Sequence, residues 1–415
     1  MDILIKNIKG LVGIRSKSTC FVAGKEMMHL ETLNDAYLIV DKGLIYDFGV
    51  MSNLKYSDNS FDEIINAKGS LLFPSFVDSH THLVYAGSRE IEYGDKIRGL
   101  SYEEIAKRGG GILNSAKLLH ETSERVLFDL AMVRIKDIIS MGTGAVEIKS
   151  GYGLTLEDEL KMLRVIRRLK NESPLIIKST FLGAHAVPND FKGKQNKYVD
   201  LVVNEMLPKV AEENLADFVD VFCDKGFFTI EQTDRILDAA AKFGLRSKIH
   251  ANELDFSGGI QVGVKHNALS VDHLEYTGDA EIMSLLKSKT MPTILPGAAF
   301  FLGLKNAPAR KMIDAGLPLA LASDFNPGSS PSGNMQLIAS MGCIIYKMLP
   351  EEVINATTIN SAYAMGIEAE VGTITCGKRA NLFVSRPMPS YNYLPYSYGD
   401  NKVDKVILNG EIIKY

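Results

Sequence analysis

The sequence contains no paired cysteines, no visible signal peptide and no membrane-spanning run. Its four cysteines are scattered without a CxxC pair, which suits a reducing cytosol better than a disulfide framework. The first residues lack a basic region followed by a long apolar stretch, so we expect no signal peptide. No apolar run is long enough to cross a bilayer. We therefore expect a cytoplasmic protein with no membrane partner.

The sequence also has no excess of positive charge. Lys and Arg number 46 against 50 Asp and Glu, giving a formal net charge of -4, and no long basic run occurs. This balance argues against a nucleic-acid-binding surface. No GxGxxG follows the first predicted strand, which weakens a dinucleotide-binding interpretation. The 415 residues are too many for one simple core, so we expect two domains.

The middle of the chain alternates apolar strand-like runs with helical patterns, which is typical of βα units around a parallel sheet. Helical periodicity is clear over residues 157–170 and 231–243. Eight such units predict an α/β fold with a (β/α)8 TIM-type barrel, and a doubly wound open sheet is the main alternative. The eight predicted strands span residues 71–82, 145–149, 175–185, 218–223, 247–252, 269–274, 291–295 and 319–324.

Both ends of the chain are β-rich and differ from the middle. Hairpin turns are expected at Asp41-Lys42-Gly43 and at Asn409-Gly410. Two similar ends that bracket a different middle predict one small β-sandwich built from both termini. We therefore divide the chain into residues 1–67 and 371–415 for the sandwich and 68–370 for the barrel.

The rest of the predicted active site is arranged around the stretch that contains His80 and His82. Side chains alternate along a strand, so these two imidazoles point the same way and form half of a metal site. Active sites of such barrels lie at the carboxyl ends of the strands. Five of the eight histidines fall near predicted strand ends, and the others are expected on the surface or on helices. The five are His80, His82, His185, His250 and His273, and the others are His29, His120 and His266.

A metal site follows from this placement, with His80 and His82 from the first strand, His250 from the fifth and Asp324 from the eighth. A closed barrel brings its first and eighth strands together. Three nitrogens and one carboxylate suit zinc and also accept iron or manganese. Asp324 has an alternative role as a helix N-cap.

Residues 74–82, the later histidines, Ser323-Asp324 and the segment 372–381 together resemble the amidohydrolase superfamily. Within that superfamily the match is to a branch whose substrate is a five-membered cyclic amide with a propionate tail. The resemblance implies a metal-dependent hydrolase that uses a divalent or trivalent ion, zinc or iron, and works as a homodimer. The matching segments of that branch are residues 80–90, 108–112, 147–154, 181–185, 250–253, 272–275 and 324–329.

The resemblance also implies a mechanism, in which a metal-bound hydroxide attacks the ring carbonyl. Glu253 lies just beyond His250 and is expected to transfer a proton between the water and the leaving ring nitrogen. His273 would orient the water or polarise the carbonyl, with Asp272 and Glu275 as candidate partners. Asp324 is expected both to bind the metal and to accept a proton.

The resemblance assigns Arg89 to the propionate tail, because a guanidinium grips a carboxylate with two parallel hydrogen bonds. Tyr152 lies between two glycines, which let the backbone turn sharply and present the ring. Without the resemblance, Arg89 would be a capping residue, Tyr152 a packed loop residue and His185 a core histidine. Residues 326–328 would be a plain Asn-Pro-Gly turn. The substrate-binding residues implied are Arg89, Tyr152, His185, Glu253, Asn326, Gly328 and Ser329.

Lys149 raises the question of whether a lysine bridges two metal ions in this site. Some amidohydrolases bridge two metals with a carbamylated lysine on the fourth strand, whereas Lys149 lies on the second predicted strand. The fourth predicted strand contains no lysine, so we expect one metal ion per subunit. We expect Lys149 to be structural or to supply a charge behind the metal ligands.

Two other functions remain open at this point. An aminohydrolase that deaminates a nucleobase or a related ring would share the fold and the ligands, but would release ammonia. A non-catalytic scaffold would be expected to lack the ligands, all four of which are present here.

Overall fold

The computed structural model describes residues 1–100 and 110–414. Arg108 and Gly109, which begin one of the matching segments, lie outside the described residues. Within the described part, two eight-stranded sheets form the fold. The strands of the first sheet are β1 (Ile3–Ile14), β2 (Glu31–Asp41), β3 (Leu44–Val50), β4 (Glu63–Asn66), β5 (Leu71–Pro74), β14 (Leu382–Ser385), β15 (Val403–Leu408) and β16 (Glu411–Ile412).

The second sheet is the barrel, and its described strands pair in parallel and in chain order. They are β6 (Phe76–Thr81), β7 (Thr143–Lys149), β8 (Ile176–Ala184), β9 (Phe218–Cys223), β10 (Arg246–Ala251), β11 (Ser270–His273), β12 (Met291–Ile294) and β13 (Ala320–Leu321). A bridge between Thr81 and Phe325 joins the first strand to the segment after the last one. The barrel is therefore nearly closed, which confirms the predicted fold class over the open sheet.

Helices cover the barrel between its strands. The predicted helix at 157–170 spans Leu156–Glu172 and begins at Thr155, whose hydroxyl accepts a hydrogen bond from the Asp158 N–H. The described α-helices are Glu90–Ile97, Ile112–Glu121, Glu124–Ser140, Leu156–Glu172, Gln195–Leu201, Leu207–Glu212, Ile230–Ala241, Gly259–Lys265, Asp279–Leu286, Pro296–Leu302, Ala309–Asp314, Met335–Ile344, Pro350–Ala356, Ile359–Ala364 and Tyr393–Tyr396. None of the described helices is both long and apolar enough to span a membrane.

The predicted strand at 71–82 is in fact two strands in different sheets. β5 pairs with β1 and β14 in the terminal sheet, whereas β6 pairs with β7 in the barrel. Pro74 has no N–H to donate, and the N–H of Ser75 donates to Asn381 O at 2.9 Å, so the chain changes sheets at this point. His80 thus lies on a barrel strand that directly follows a strand of the terminal sheet, and His82 lies just beyond the end of that barrel strand.

The terminal sheet has the order β16-β15-β14-β5-β1-β2-β3, with β4 paired to β1. Both predicted hairpins form, since β2 pairs with β3 and β15 with β16 in antiparallel register. The sheet encloses an apolar core of its own that includes Ile5, Leu38 and Leu382. The two chain ends thus build one small β domain, and the exact boundaries at 67 and 370 stay a prediction.

Candidate active site

His80 lies at the carboxyl end of β6 with its ring fully buried. Its Nδ1–H donates to the carboxylate of Asp272 on β11 at 2.6 Å. This hydrogen bond fixes the tautomer and leaves the Nε2 lone pair free, as in histidines that bind metals. Nε2 of His80 is buried and has no hydrogen-bond partner among the described residues. A buried ring nitrogen without a hydrogen-bond partner is suited to coordinate a cation.

His250 at the end of β10 is held in the same way. Its Nδ1–H donates to a carboxylate oxygen of Asp220 on β9 at 3.0 Å, and its backbone N–H donates to the other oxygen. Although burial opposes it, His250 and Lys149 hold the pKa of Asp220 well below its ordinary value. The Asp220 carboxylate therefore orients both the ring and the backbone of His250.

The three histidines His80, His82 and His250 are spaced as ligands of one metal ion. One nitrogen from each ring lies within 4.8 Å of the other two. The Nε2 atoms of His82 and His250 are 3.4 Å apart, and two nitrogens on one tetrahedral zinc would be separated by about 3.4 Å. Oδ1 of Asp324 lies 3.5 Å from His80 Nε2 and 3.6 Å from His82 Nε2. The four predicted ligands therefore converge on one point.

The protonation of the site favours metal binding. Burial, reinforced by the nearby charge of Lys149, lowers the pKa of His80 well below its ordinary value. Burial, with His185 beside the ring, does the same for the pKa of His82. Neutral imidazole is the form that coordinates a metal. Burial raises the pKa of the Asp324 carboxyl to about 6, which still permits the ionised form near neutrality.

Backbone strain is concentrated at the strand ends around these ligands. Asp324, Asn252, His273 and Leu274 have φ angles of 54°, 56°, 84° and 75°, in the left-handed region. Each such residue costs about 1–3 kcal/mol, and such strain clusters at functional sites. The eighth strand consequently ends at Leu321, earlier than predicted, and the chain turns to direct Asp324 at the histidines.

Charged side chains fill the barrel interior beneath the histidines. Lys149 donates to Glu147 at 2.6 Å and to Asp220 at 2.7 Å, and Lys248 donates to the other oxygen of Glu147. Although burial alone would lower the pKa of Lys149, the carboxylates of Asp220 and Glu147 raise it above its ordinary value. Lys149 thus stays a cation behind the ligands, and its ammonium is engaged in ion pairs.

A cavity of about 450 Å³ opens over His82 and His250. Every predicted site residue lines it except His80, whose buried ring packs against the rings of these two histidines. Its lining includes His82, Arg89, Tyr152, His185, His250, Glu253, His273, Asp324, Asn326, Gly328 and Ser329. Residues from the ends of most barrel strands thus meet in one cavity, as the position of active sites in such barrels requires.

Arg89 lies beside this cavity and is held by Glu92. Nε and Nη2 of Arg89 contact Oε2 of Glu92 at 2.8 and 2.7 Å. Glu92 also accepts hydrogen bonds from the Gly111 N–H and the Asn114 side chain. The Nη1 side of the guanidinium lies directly over Gly328, where a Cβ atom would come within 2.0 Å of it. Among the described hydrogen bonds and ion pairs, none uses Nη1 of Arg89, so this nitrogen is the one left to bind a carboxylate in the cavity.

The loop that carries Tyr152 is shaped by Glu159. Its carboxylate accepts hydrogen bonds from the N–H groups of Gly151, Gly153 and Leu154 at 2.8–3.1 Å. Gly151 has a φ of 107°, which favours glycine. The buried Tyr152 ring consequently lies 5.7 Å from the His82 ring, centroid to centroid.

His185, Glu253 and His273 surround the same cavity. The Nδ1–H of His185 donates to Gly151 O at 2.9 Å, which leaves its Nε2 for a ligand. Burial, with Asp324 nearby, raises the pKa of Glu253 to about 8. Nδ1 of His273 lies 3.6 Å from a Glu253 carboxylate oxygen. Glu253 and His273 are thus neighbours that can exchange a proton with a ligand at the cavity floor.

The loop after Asp324 is closed by Asn326. The Asn326 side chain accepts from the N–H groups of Gly328 and Ser329 and donates to Asp324 O. The Ser329 hydroxyl donates to Asp324 Oδ2 at 3.0 Å. The Asn-Pro-Gly turn is therefore real, and it also fixes the direction of the Asp324 carboxylate.

Comparison with known proteins decides the family. A model of the amidohydrolase family matches residues 71–413. The chain belongs to the amidohydrolase family.

Relatives of this amidohydrolase cover its full length. A protein of Christiangramia forsetii named imidazolonepropionase is 52% identical over 413 residues, covering 100% of both chains. An imidazolonepropionase of Alkaliphilus oremlandii is 41% identical over 417 residues, covering 100% of this chain and 98% of the relative. Among solved structures, an adenosine deaminase from Xanthomonas campestris with bound zinc superposes with a TM-score of 0.72. That structure is 15% identical and covers 99% of this chain and 92% of its own, so it supports the fold alone.

Some residues of this amidohydrolase site were not assigned from the sequence. Asp220, Glu92 and Glu159 hold His250, Arg89 and the Tyr152 loop through hydrogen bonds. The sequence did contain a signal for Asp220, because a carboxylate in the middle of a buried parallel strand is costly unless it is paired. Glu92 and Glu159 lie on helices, where an acidic residue is unremarkable.

Proposed function

We propose that this amidohydrolase hydrolyses the cyclic amide of 4-imidazolone-5-propanoate and releases N-formimidoyl-L-glutamate, a step of histidine degradation. The observation that carries the proposal is the presence of two chemically different groups in the lining of one cavity. The buried histidines at the floor suit the reacting carbonyl, and the guanidinium of Arg89 suits a carboxylate tail. Relatives at 41–52% identity that are named imidazolonepropionase support the same assignment.

The metal would be held by His80, His82, His250 and Asp324. When bound there, a divalent ion supplies an acidified water and polarises the substrate carbonyl. Three imidazole nitrogens and one carboxylate oxygen suit both zinc and iron. We propose a single ion per subunit, since the ammonium of Lys149 is engaged with Glu147 and Asp220.

The proton transfers fall to Glu253, Asp324 and His273. A pKa of about 8 means that Glu253 holds a proton near neutrality, and it can deliver that proton to the leaving ring nitrogen. Asp324 would accept the proton of the attacking water at Oδ2, next to the Ser329 hydroxyl. The neutral His273, whose pKa is lowered by burial and by His250, would donate a hydrogen bond to the developing oxyanion.

The remaining cavity residues would position the substrate. Arg89 would bind the propionate through its free edge above Gly328. Tyr152 and Nε2 of His185 would contact the ring. Asn326, Gly328 and Ser329 would hold the substrate through their loop, which is rigid because the Asn326 side chain closes it. A cytoplasmic location and a homodimer complete the proposal.

A product assay tests this function. Imidazolone propionate would be generated in place from urocanate, the enzyme added, and the mixture read by mass spectrometry. We expect conversion to formimidoylglutamate, with loss of activity in Glu253→Gln and His250→Ala. Decay of the imidazolone at its background rate, together with ammonia release from a nucleobase, would instead identify a deaminase. In that case the assignment of Arg89 would also be wrong.

A further inference from the structure

We propose that Lys149 positions two metal-binding histidines at once, because it ties together the carboxylates of Asp220 and Asp272. The inference rests on the metal site of the proposed function. It gives a specific role to a lysine that touches none of the ligands through a hydrogen bond.

The ammonium of Lys149 lies close to the carboxylates of two aspartates. Nζ of Lys149 lies 2.7 Å from Asp220 Oδ2 and 3.7 Å from Asp272 Oδ2. The same Asp220 oxygen accepts from Nδ1 of His250 at 3.0 Å, and the same Asp272 oxygen accepts from Nδ1 of His80 at 2.6 Å. One cation is therefore shared by the two oxygens that orient the two rings.

The burial of the group makes the connection rigid. The side chains of Lys149, Asp220 and Asp272 are each 0% exposed. Without the ammonium, two carboxylates would face one another in a medium of low dielectric constant, where an uncompensated charge is costly. The two aspartate side chains would then move apart, and each would lose its position against its histidine. His80 on β6 and His250 on β10 would then no longer be held in a fixed position relative to each other.

Lys248 offers a matched control in the same barrel interior. It is also fully buried, and it donates to Glu147 and to the carbonyl oxygens of Ser79 and Ala364 at 2.8 and 3.2 Å. Among the described ion pairs, none joins Lys248 to Asp220 or Asp272. Removing either lysine deletes one buried cation next to Glu147, and the charge of Lys248 also acts on Asp272, but among the described ion pairs only Lys149 reaches Asp220 and Asp272.

The test is Co²⁺ titration of the metal-free protein, read by the d–d absorption spectrum and by competition with a chelator. We expect Lys149→Met to bind Co²⁺ about 10- to 100-fold more weakly, the range seen when partners of metal ligands are removed. Its spectrum should shift, since two ligands lose their orientation. Lys248→Met should lower the melting temperature while keeping the affinity and the spectrum of the wild type. Equal affinity in Lys149→Met and the wild type, or an equal loss in both lysine variants, would overturn the proposal.

A second set of variants covers the case in which Lys149→Met does not fold. If one lysine couples the two aspartates, Asp220→Asn and Asp272→Asn should not be additive in Co²⁺ affinity, and the double variant should lose less than the product of the two losses. Additive losses would show that each aspartate acts alone and would refute the coupling. A wild-type protein that binds no Co²⁺ would contradict the metal site itself, which separates failure of the proposed function from failure of this inference.

Discussion

Gly328→Ala is the variant that probes the tail-binding end of the cavity most selectively. A Cβ at this position would lie 2.0 Å from Nη1 and 2.8 Å from Cζ of Arg89. Carbon contacts begin at about 3.5 Å, so the guanidinium must move by about 1.5 Å. Because Glu92 holds the other edge of Arg89, such a shift removes the free edge from the position where a carboxylate would bind.

The magnitude follows from the hydrogen bonds that would be lost. Hydrogen bonds to a charged group contribute about 1.5–3 kcal/mol, which corresponds to a rise in KM of about 10- to 150-fold. The tail is bound equally in the ground state and the transition state, so kcat should change little. Stability should change by less than about 1 kcal/mol, since the only clash is with the end of a flexible side chain.

Steady-state kinetics with the imidazolone substrate would measure this effect. Arg89→Lys is the matched control, because it keeps the charge and loses the two-pronged geometry. In an Arg89→Ala background, Gly328→Ala should have a much smaller effect, limited to the contact of the Gly328 loop with the substrate. A normal KM for Gly328→Ala, or an equally large effect without Arg89, would refute the assignment of Arg89 to the tail.

Three further predictions follow from the site. Glu253→Gln should lower kcat by about 10²- to 10⁴-fold while the metal content of the protein, measured by elemental analysis, stays unchanged; a loss of metal would mean that Glu253 is a ligand. Removal of the metal with a chelator should lower the melting temperature in calorimetry, since an ion at a thousandfold its Kd stabilises the fold by about 4 kcal/mol; an unchanged melting temperature would contradict a buried site. Glu159→Gln should raise KM, because the backbone N–H groups around Tyr152 lose their shared carboxylate, whereas Glu157→Gln, on the same helix, should not.

The barrel and the clustering of the candidate ligands could be predicted because the polar residues at the ends of apolar strands are recognisable in the sequence. A histidine at the end of an apolar run, as at His80 and His250, can be recognised from the sequence alone. Closure of the barrel then brings Asp324 to the same point, and the hydrogen bond from the Asp324 N–H to His80 O at 3.0 Å shows that closure directly.

Other features depend on contacts that no local pattern contains. The break between β5 and β6 arises because Ser75 pairs with Asn381, far along the chain. Glu92 binds Arg89, and Glu159 binds the backbone of the Tyr152 loop, through hydrogen bonds. Both contacts depend on how helices pack against the strand ends. Asp324 has a left-handed backbone conformation that its tertiary contacts stabilise. Because the residue is not a glycine, the sequence did not indicate this conformation.

The most direct test of the central claim is hydrolysis in water enriched with heavy oxygen. If the enzyme opens the cyclic amide, the product should contain one heavy oxygen in its new carboxylate, retain both ring nitrogens and depend on the bound metal. A product that has lost nitrogen as ammonia, or one that forms equally well with metal-free enzyme, would contradict the account.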